Sequence, residues 1–144
     1  MSRNVIILLF FVTALFSACT SIATETPADE VNERQSPIPE ETYTDITIAE
    51  LQTMLANKDF IFVNVHIPFE GNISGTDLSI PYDEIEKNLD LLPADKDARI
   101  VLYCRSGRMS SIAGEKLASL GYSNVFNLEG GMIAWEQAGL SLER

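Results

Sequence analysis

The chain has 144 residues, 46% of them hydrophobic and 22% charged, enough for one globular domain and some additional segments. A formal net charge of -11 repels phosphate backbones and argues against a nucleic-acid binder. Two cysteines and one histidine are too few for a four-ligand zinc site, and Cys19 and Cys104 lie in segments so different that no disulfide is expected between them.

Residues 1–18 read as a signal peptide. Arg3 supplies the early positive charge, and Val5 to Leu15 is an apolar run broken only by Thr13. The run is shorter than the roughly 20 residues a membrane-spanning helix needs. Phe16-Ser17-Ala18-Cys19 resembles a bacterial lipobox, with Phe16 where Leu is usual. That resemblance implies a lipid on Cys19 and an exported protein tethered to a bacterial membrane, on its periplasmic or extracellular face. The alternative is an ordinary signal peptide cut near Ala18. The stretch 19–41 follows as lipidated Cys and tether. It is dominated by Thr, Ser, Pro, Glu and Asp, and Pro27, Pro37 and Pro39 interrupt any helix. So little apolar surface cannot drive folding, and a disordered linker is expected. Residues 42–144 are expected to form the folded domain.

In that domain Ile48, Leu51, Met54 and Leu55 recur at helical spacing within Ile46 to Ala56. Thr47 is the expected N-cap, with Glu50 completing a capping box. Phe60 to Val65 reads as a strand buried on both faces. Residues 66 to 77 read as loop, with Pro68, Gly71 and Gly75. Leu78 to Ile80 is a short strand. Pro81 suits a helix start, and Ile85, Leu89 and Leu92 space correctly for one. Ile100 to Tyr103 is a second buried strand ending at Cys104. A helix from Gly107 to Leu120 carries Met109, Ile112, Ala113, Leu117 and Leu120 on one face, and Gly121 stops it. Val125 to Leu128 is a third strong strand. Gly130-Gly131 turns the chain into a last helix, Met132 to Ala138, ended by Gly139. Strands and helices alternate, and the connection from Tyr103 to Val125 accommodates a crossover helix. The expected fold is therefore α/β: an open parallel sheet of four to five short strands with helices on both faces. Reactive groups in such sheets lie at the carboxyl ends of the strands. Cys104 and His66 both fall there.

The run Cys104-Arg105-Ser106-Gly107-Arg108-Met109-Ser110 joins a strand to a helix. The helix N-terminus offers unpaired N–H groups and partial positive charge. Gly107 allows the backbone to curl so that several N–H groups face one anion. Arg105 and Arg108 add cations in an otherwise acidic protein. All three features favour a thiolate on Cys104, and the same cradle suits a persulfide anion or the sulfonate end of thiosulfate.

This loop resembles the active-site loop of rhodanese-family sulfurtransferases, commonly C-R-S-G-x-R-S. Asn127 to Trp135 resembles the family's second signature, L-x-G-G-x-x-A-W, and Phe62 to Pro81 resembles, more loosely, a first region D-V-R…G-H-I-x-G-A…I-P. The likeness covers roughly residues 44 to 140. It implies a cysteine persulfide formed and discharged in two half-reactions, with Cys104 as nucleophile and Arg105, Ser106, Gly107, Arg108, Met109 and Ser110 as the substrate-binding loop. It implies a sulfur donor, by default thiosulfate, and a thiol or cyanide acceptor, with no cofactor and no metal. The chain departs from the pattern in three places. Asn64 and His66 replace the Asp and Arg of D-V-R. Asn72 replaces the His of G-H-I. Met109 replaces the last Arg of the active loop, with Arg108 one position earlier; Met109 also fits the apolar stripe of its helix. His66 is read as a surface-loop residue or as an accessory group that orients substrate or tunes Cys104. Trp135 is assigned to the core and Glu70 to a solvated loop. Related folds that hydrolyse phosphate or reduce arsenate carry a longer loop ending in an oxyanion-clamping Arg, which is missing at and just beyond Ser110. A non-catalytic binding or sulfur-sensing module is the remaining alternative.

Overall fold

The computed structural model describes residues 43–144. The expected signal peptide, lipobox at Cys19 and tether lie outside the described residues. The chain enters as β1 (Thr44–Ile46), a short strand that the sequence pattern did not show. Ile46 ends this strand. Thr47 then caps α1 (Ile48–Ala56). Its hydroxyl accepts from the Glu50 N–H at 3.3 Å, and the Glu50 carboxylate accepts from the Thr47 N–H at 2.8 Å, so the predicted capping box is formed.

β2 (Ile61–Asn64) follows, then two very short strands, β3 (Asn72–Ile73) and β4 (Leu78–Ser79). β3 lies inside the stretch read as loop. The next segment, Ile85–Leu91, is a 3-10 helix and not the expected α-helix. A local cause is visible at Asn88, where φ is -117°. Its side-chain amide donates to the Glu84 carbonyl at 2.9 Å and so occupies the acceptor an α-helical N–H of Asn88 would use. The apolar spacing still serves its purpose, since Ile85, Leu89 and Leu92 all pack on the core. β5 (Ile100–Tyr103), α2 (Arg108–Ser119), β6 (Val125–Leu128) and α3 (Gly131–Gln137) come where the pattern puts them. A final two-residue strand, β7 (Leu142–Glu143), was not legible.

The main sheet has five strands in the order β1-β6-β5-β2-β4, all parallel. β3 and β7 form a separate antiparallel pair, Asn72 opposite Glu143. Side chains along β5 alternate between two cores. Ile100 and Leu102 face the side of α2 and the 3-10 segment, with Ala113 and Leu117. Val101 and Tyr103 face the other side, with Leu51 of α1 and Met132 and Trp135 of α3. Both faces are covered, so β5 is fully buried and its sequence is continuously apolar. Cys104 leaves the carboxyl end of this central strand.

Candidate active site

Cys104 is 1% exposed, and its sulfur lies under the first turn of α2. Gly107 is the N-cap of that helix in the left-handed region, φ 95°, and no side chain caps the helix. The sulfur takes the role of the missing cap. The Gly107 N–H donates to Cys104 Sγ at 3.1 Å, and the Ser110 hydroxyl lies 3.5 Å from the same sulfur. Ser110 also donates to the Gly107 carbonyl at 3.0 Å. One hydroxyl proton cannot serve both acceptors at once, and a negatively charged sulfur is the stronger of the two.

Burial pushes the Cys104 thiol up. Hydrogen bonds from the Ser110 hydroxyl and from the backbone N–H groups of Ser110, Ser106 and Gly107 outweigh burial and hold it below the ordinary thiol value. The positive end of α2 points the same way. The cradle is therefore mostly backbone, and it fits an anion centred on sulfur.

A second helix end fixes the loop from behind. The Met132 N–H donates to the Cys104 carbonyl at 2.9 Å, and the Ile133 N–H donates to the Arg105 carbonyl at 3.0 Å. With these carbonyls held outward, the following N–H groups are free to turn inward. The close approach needs Gly131: a Cβ there would collide with the Cys104 carbonyl oxygen and lie 2.9 Å from the Arg105 backbone. The Gly-Gly pair thus shapes the loop around the thiol.

The other loop residues divide. Ser106 contributes its N–H. Met109 is half-buried and packs on the α2-side core, in keeping with the apolar stripe. Arg108 is exposed and, among the described residues, makes no ion pair. Arg105 is not a free cation: its Nη1 lies 2.6 and 2.8 Å from the two carboxylate oxygens of Glu70. Sequence reasoning assigned Glu70 nothing, because its partner is 35 positions away.

His66 also differs from a surface-loop residue. Its side chain is only 6% exposed, Nε2 is 3.5 Å from Glu70 Oε1, and among the described residues neither ring nitrogen has a hydrogen-bond partner. Adjacent β2 and β5 bring it to the same sheet end as Cys104. The two asparagines that replace family residues touch each other. Asn64 Nδ2 donates to Asn72 Oδ1 and to the Gly71 carbonyl, each at 3.0 Å, while Asn64 Oδ1 accepts from the His66 N–H at 2.9 Å. Asn72 Oδ1 also accepts from the Tyr103 hydroxyl at 3.2 Å. Tyr103 precedes Cys104, and its hydroxyl is held further by the Ile73 N–H and Thr76. Burial raises the Tyr103 pKa, so this anchor stays neutral. Among the described residues no group of His, Cys, Asp and Glu is arranged to hold a metal ion, and no helix is long and apolar enough to cross a membrane.

Residues 47–138 match the model of the rhodanese-like domain. The chain belongs to the rhodanese-like domain family. It is similar to a sulfurtransferase of Allochromatium vinosum, 36% identical over 94 residues, which are 63% of this chain and 85% of the relative. It is also similar to a tRNA uridine(34) hydroxylase of Erwinia tasmaniensis, 34% identical over 93 residues, 60% of this chain. The chain spans 27% of that hydroxylase and 56% of a further relative from Synechocystis sp., so the match there is to a part of a longer protein. A rhodanese-like domain protein from Staphylococcus aureus superposes with a TM-score of 0.59 at 32% identity, covering 70% of this chain and 99% of the other. The parallel five-stranded sheet agrees with that likeness.

Proposed function

We propose that this rhodanese-like protein is a sulfurtransferase that carries sulfur as a persulfide on Cys104. The observation that supports this reading best is the thiol held below its ordinary pKa inside a ring of N–H donors, in spite of burial. With thiosulfate, the Cys104 thiolate attacks the outer sulfur. A Cys–S–S bond forms, the S–SO3 bond breaks, and sulfite leaves with the electron pair. The terminal sulfur keeps the negative charge in the cradle that held the thiolate, so one preorganised site serves both half-reactions. A thiol or cyanide then attacks the terminal sulfur and Cys104 returns as thiolate.

Intact-protein mass spectrometry tests the proposal. The expected result is one added sulfur after incubation with thiosulfate or a small-molecule persulfide, its removal by cyanide, and no addition to Cys104→Ser. If no donor adds sulfur to the folded protein, the second reading, a non-catalytic binding module, replaces this one. That reading is favoured by Cys104 being 1% exposed and by Arg105 being occupied by Glu70.

The same proposal includes export and a lipid on Cys19, motivated by the apolar run that ends in Phe16-Ser17-Ala18-Cys19. Cys19→Ala is expected to move the protein from the detergent phase to the aqueous phase in a partitioning assay. Equal partitioning of both forms into the aqueous phase rules the anchor out.

A further inference from the structure

A dianionic donor must approach a chain whose net charge is -11, so it depends on local positive charge. Of the two cations flanking Cys104, one is already neutralised: both oxygens of Glu70 engage Arg105. Glu70 also faces the buried His66 ring, whose nitrogens have no hydrogen-bond partner among the described residues. The family's last loop cation is Met109 here, and Met109 packs on the core. Among the cations of the active loop, Arg105 is therefore held in a pair of no net charge with Glu70, and Arg108 is exposed. Cys104 is 1% exposed, so either kind of donor must reach it with a slender terminal sulfur.

We infer that Glu70 is a specificity-determining residue for the sulfur donor: by engaging Arg105 it turns Cys104 toward small organic persulfides and away from thiosulfate. This rests on the sulfur-transfer reading and names its donor class. The step is Cys–S⁻ + R–S–SH → Cys–S–SH + R–S⁻. The new bond joins Cys104 Sγ to the terminal sulfur, the R–S–S bond breaks, and the thiolate leaves with its electron pair. The donor carries at most one negative charge, against two on thiosulfate, so the carboxylate of Glu70 disfavours it less.

The test compares single-turnover loading of Cys104 by thiosulfate and by 2-hydroxyethyl persulfide, read as persulfide mass, in the full chain. Glu70→Gln is expected to raise the thiosulfate-to-persulfide rate ratio roughly three- to tenfold, the effect of one nearby unit charge on a dianion in a screened, high-dielectric setting. Arg105→Gln, which leaves Glu70 unpaired, is expected to lower the ratio. Asp59→Asn removes the same charge from the Asp59–Arg99 ion pair, which precedes β2 and β5 at the opposite end of the sheet. It is expected to leave the ratio unchanged. A ratio unmoved in Glu70→Gln, or moved equally in Asp59→Asn, overturns the inference while sulfur transfer stands. No loading by either donor in any form overturns the sulfur-transfer reading itself.

Discussion

Two loops meet at the carboxyl end of the sheet, and they are built from different materials. The loop after β5 holds the Cys104 sulfur with main-chain N–H groups and a glycine, and its own carbonyls are held by α3. The loop after β2 is held by side chains: Asn64 to Asn72, Asn72 to Tyr103, Glu70 to Arg105. A main-chain cradle depends on φ and ψ and tolerates changes of side chain. A side-chain network depends on which groups donate and which accept, so one substitution obliges another. All of the family departures except Met109 fall in the second loop or on the strand ends that flank it. On the proposed function, persulfide chemistry would fall to the first loop and donor choice to the second.

The largest expected effect is on the first loop. In Gly131→Ala the new Cβ meets the Cys104 carbonyl and the Arg105 backbone, at a φ of 52°. Neither obstacle is a flexible side chain, so α3 and the loop must separate. We expect a loss of about 3 kcal/mol in urea unfolding, with persulfide loading lost in the protein that remains folded. A loss under about 1 kcal/mol with wild-type loading would mean that α3 does not pin the loop.

The second loop breaks differently. Asn64→Asp restores a family residue, yet it is expected to destabilise. Asn64 is 1% exposed, and its Nδ2 faces two acceptors, the Gly71 carbonyl and Asn72 Oδ1. A carboxylate has no proton to give them. The expected cost is about 1–3 kcal/mol, read from the shift in urea midpoint. Adding Asn72→His supplies a donor, and the double variant is expected to recover part of the loss. Recovery is the outcome that distinguishes a coupled pair from two independent changes; additive losses would show that the asparagines do not act together. Neither variant is expected to move the pH dependence of Cys104 alkylation, because neither touches the cradle.

The same contrast explains what could be read in the sequence. The three four-residue strands, mostly apolar, and the amphipathic helices were legible, because burial imposes a local pattern on them. The thiol cradle was legible because its parts are contiguous from Cys104 to Ser110. β3 and β7 are two residues each and exist only through each other, some 70 positions apart, so no local pattern marks them. The 3-10 segment depended on one side-chain bond from Asn88. The Glu70–Arg105 pair and the burial of the His66 side chain were not legible for a related reason: a charged residue and a lone histidine in a Pro- and Gly-containing stretch look solvated, and only the pairing of β2 with β5 brings Glu70 against Arg105.

The smallest expected effect sharpens the comparison from within the first loop. Ser110→Ala keeps the backbone N–H at position 110 and removes only the hydroxyl that approaches Cys104 Sγ. The cost in stability is about 1 kcal/mol, mostly from the lost bond to the Gly107 carbonyl. The thiol is the informative readout. Burial opposes the thiolate, and the Ser110 hydroxyl is the leading group that favours it. Removing it must raise the pH at which Cys104 becomes reactive, measured as alkylation rate against pH. The sign carries over to folding. The thiol binds its proton less tightly folded than unfolded, so the unfolded chain holds more protons between the two pKa values and stability rises with pH across that window. The contribution is complete above the unfolded thiol value and is lost as pH falls through the folded one. Wild type should therefore gain stability over Cys104→Ala as pH rises toward the ordinary thiol range, and Ser110→Ala should gain less. An alkylation midpoint for wild type at or above that of a free thiol would mean that burial wins, and the cradle would then be a structural cap for α2 and not the seat of a nucleophile.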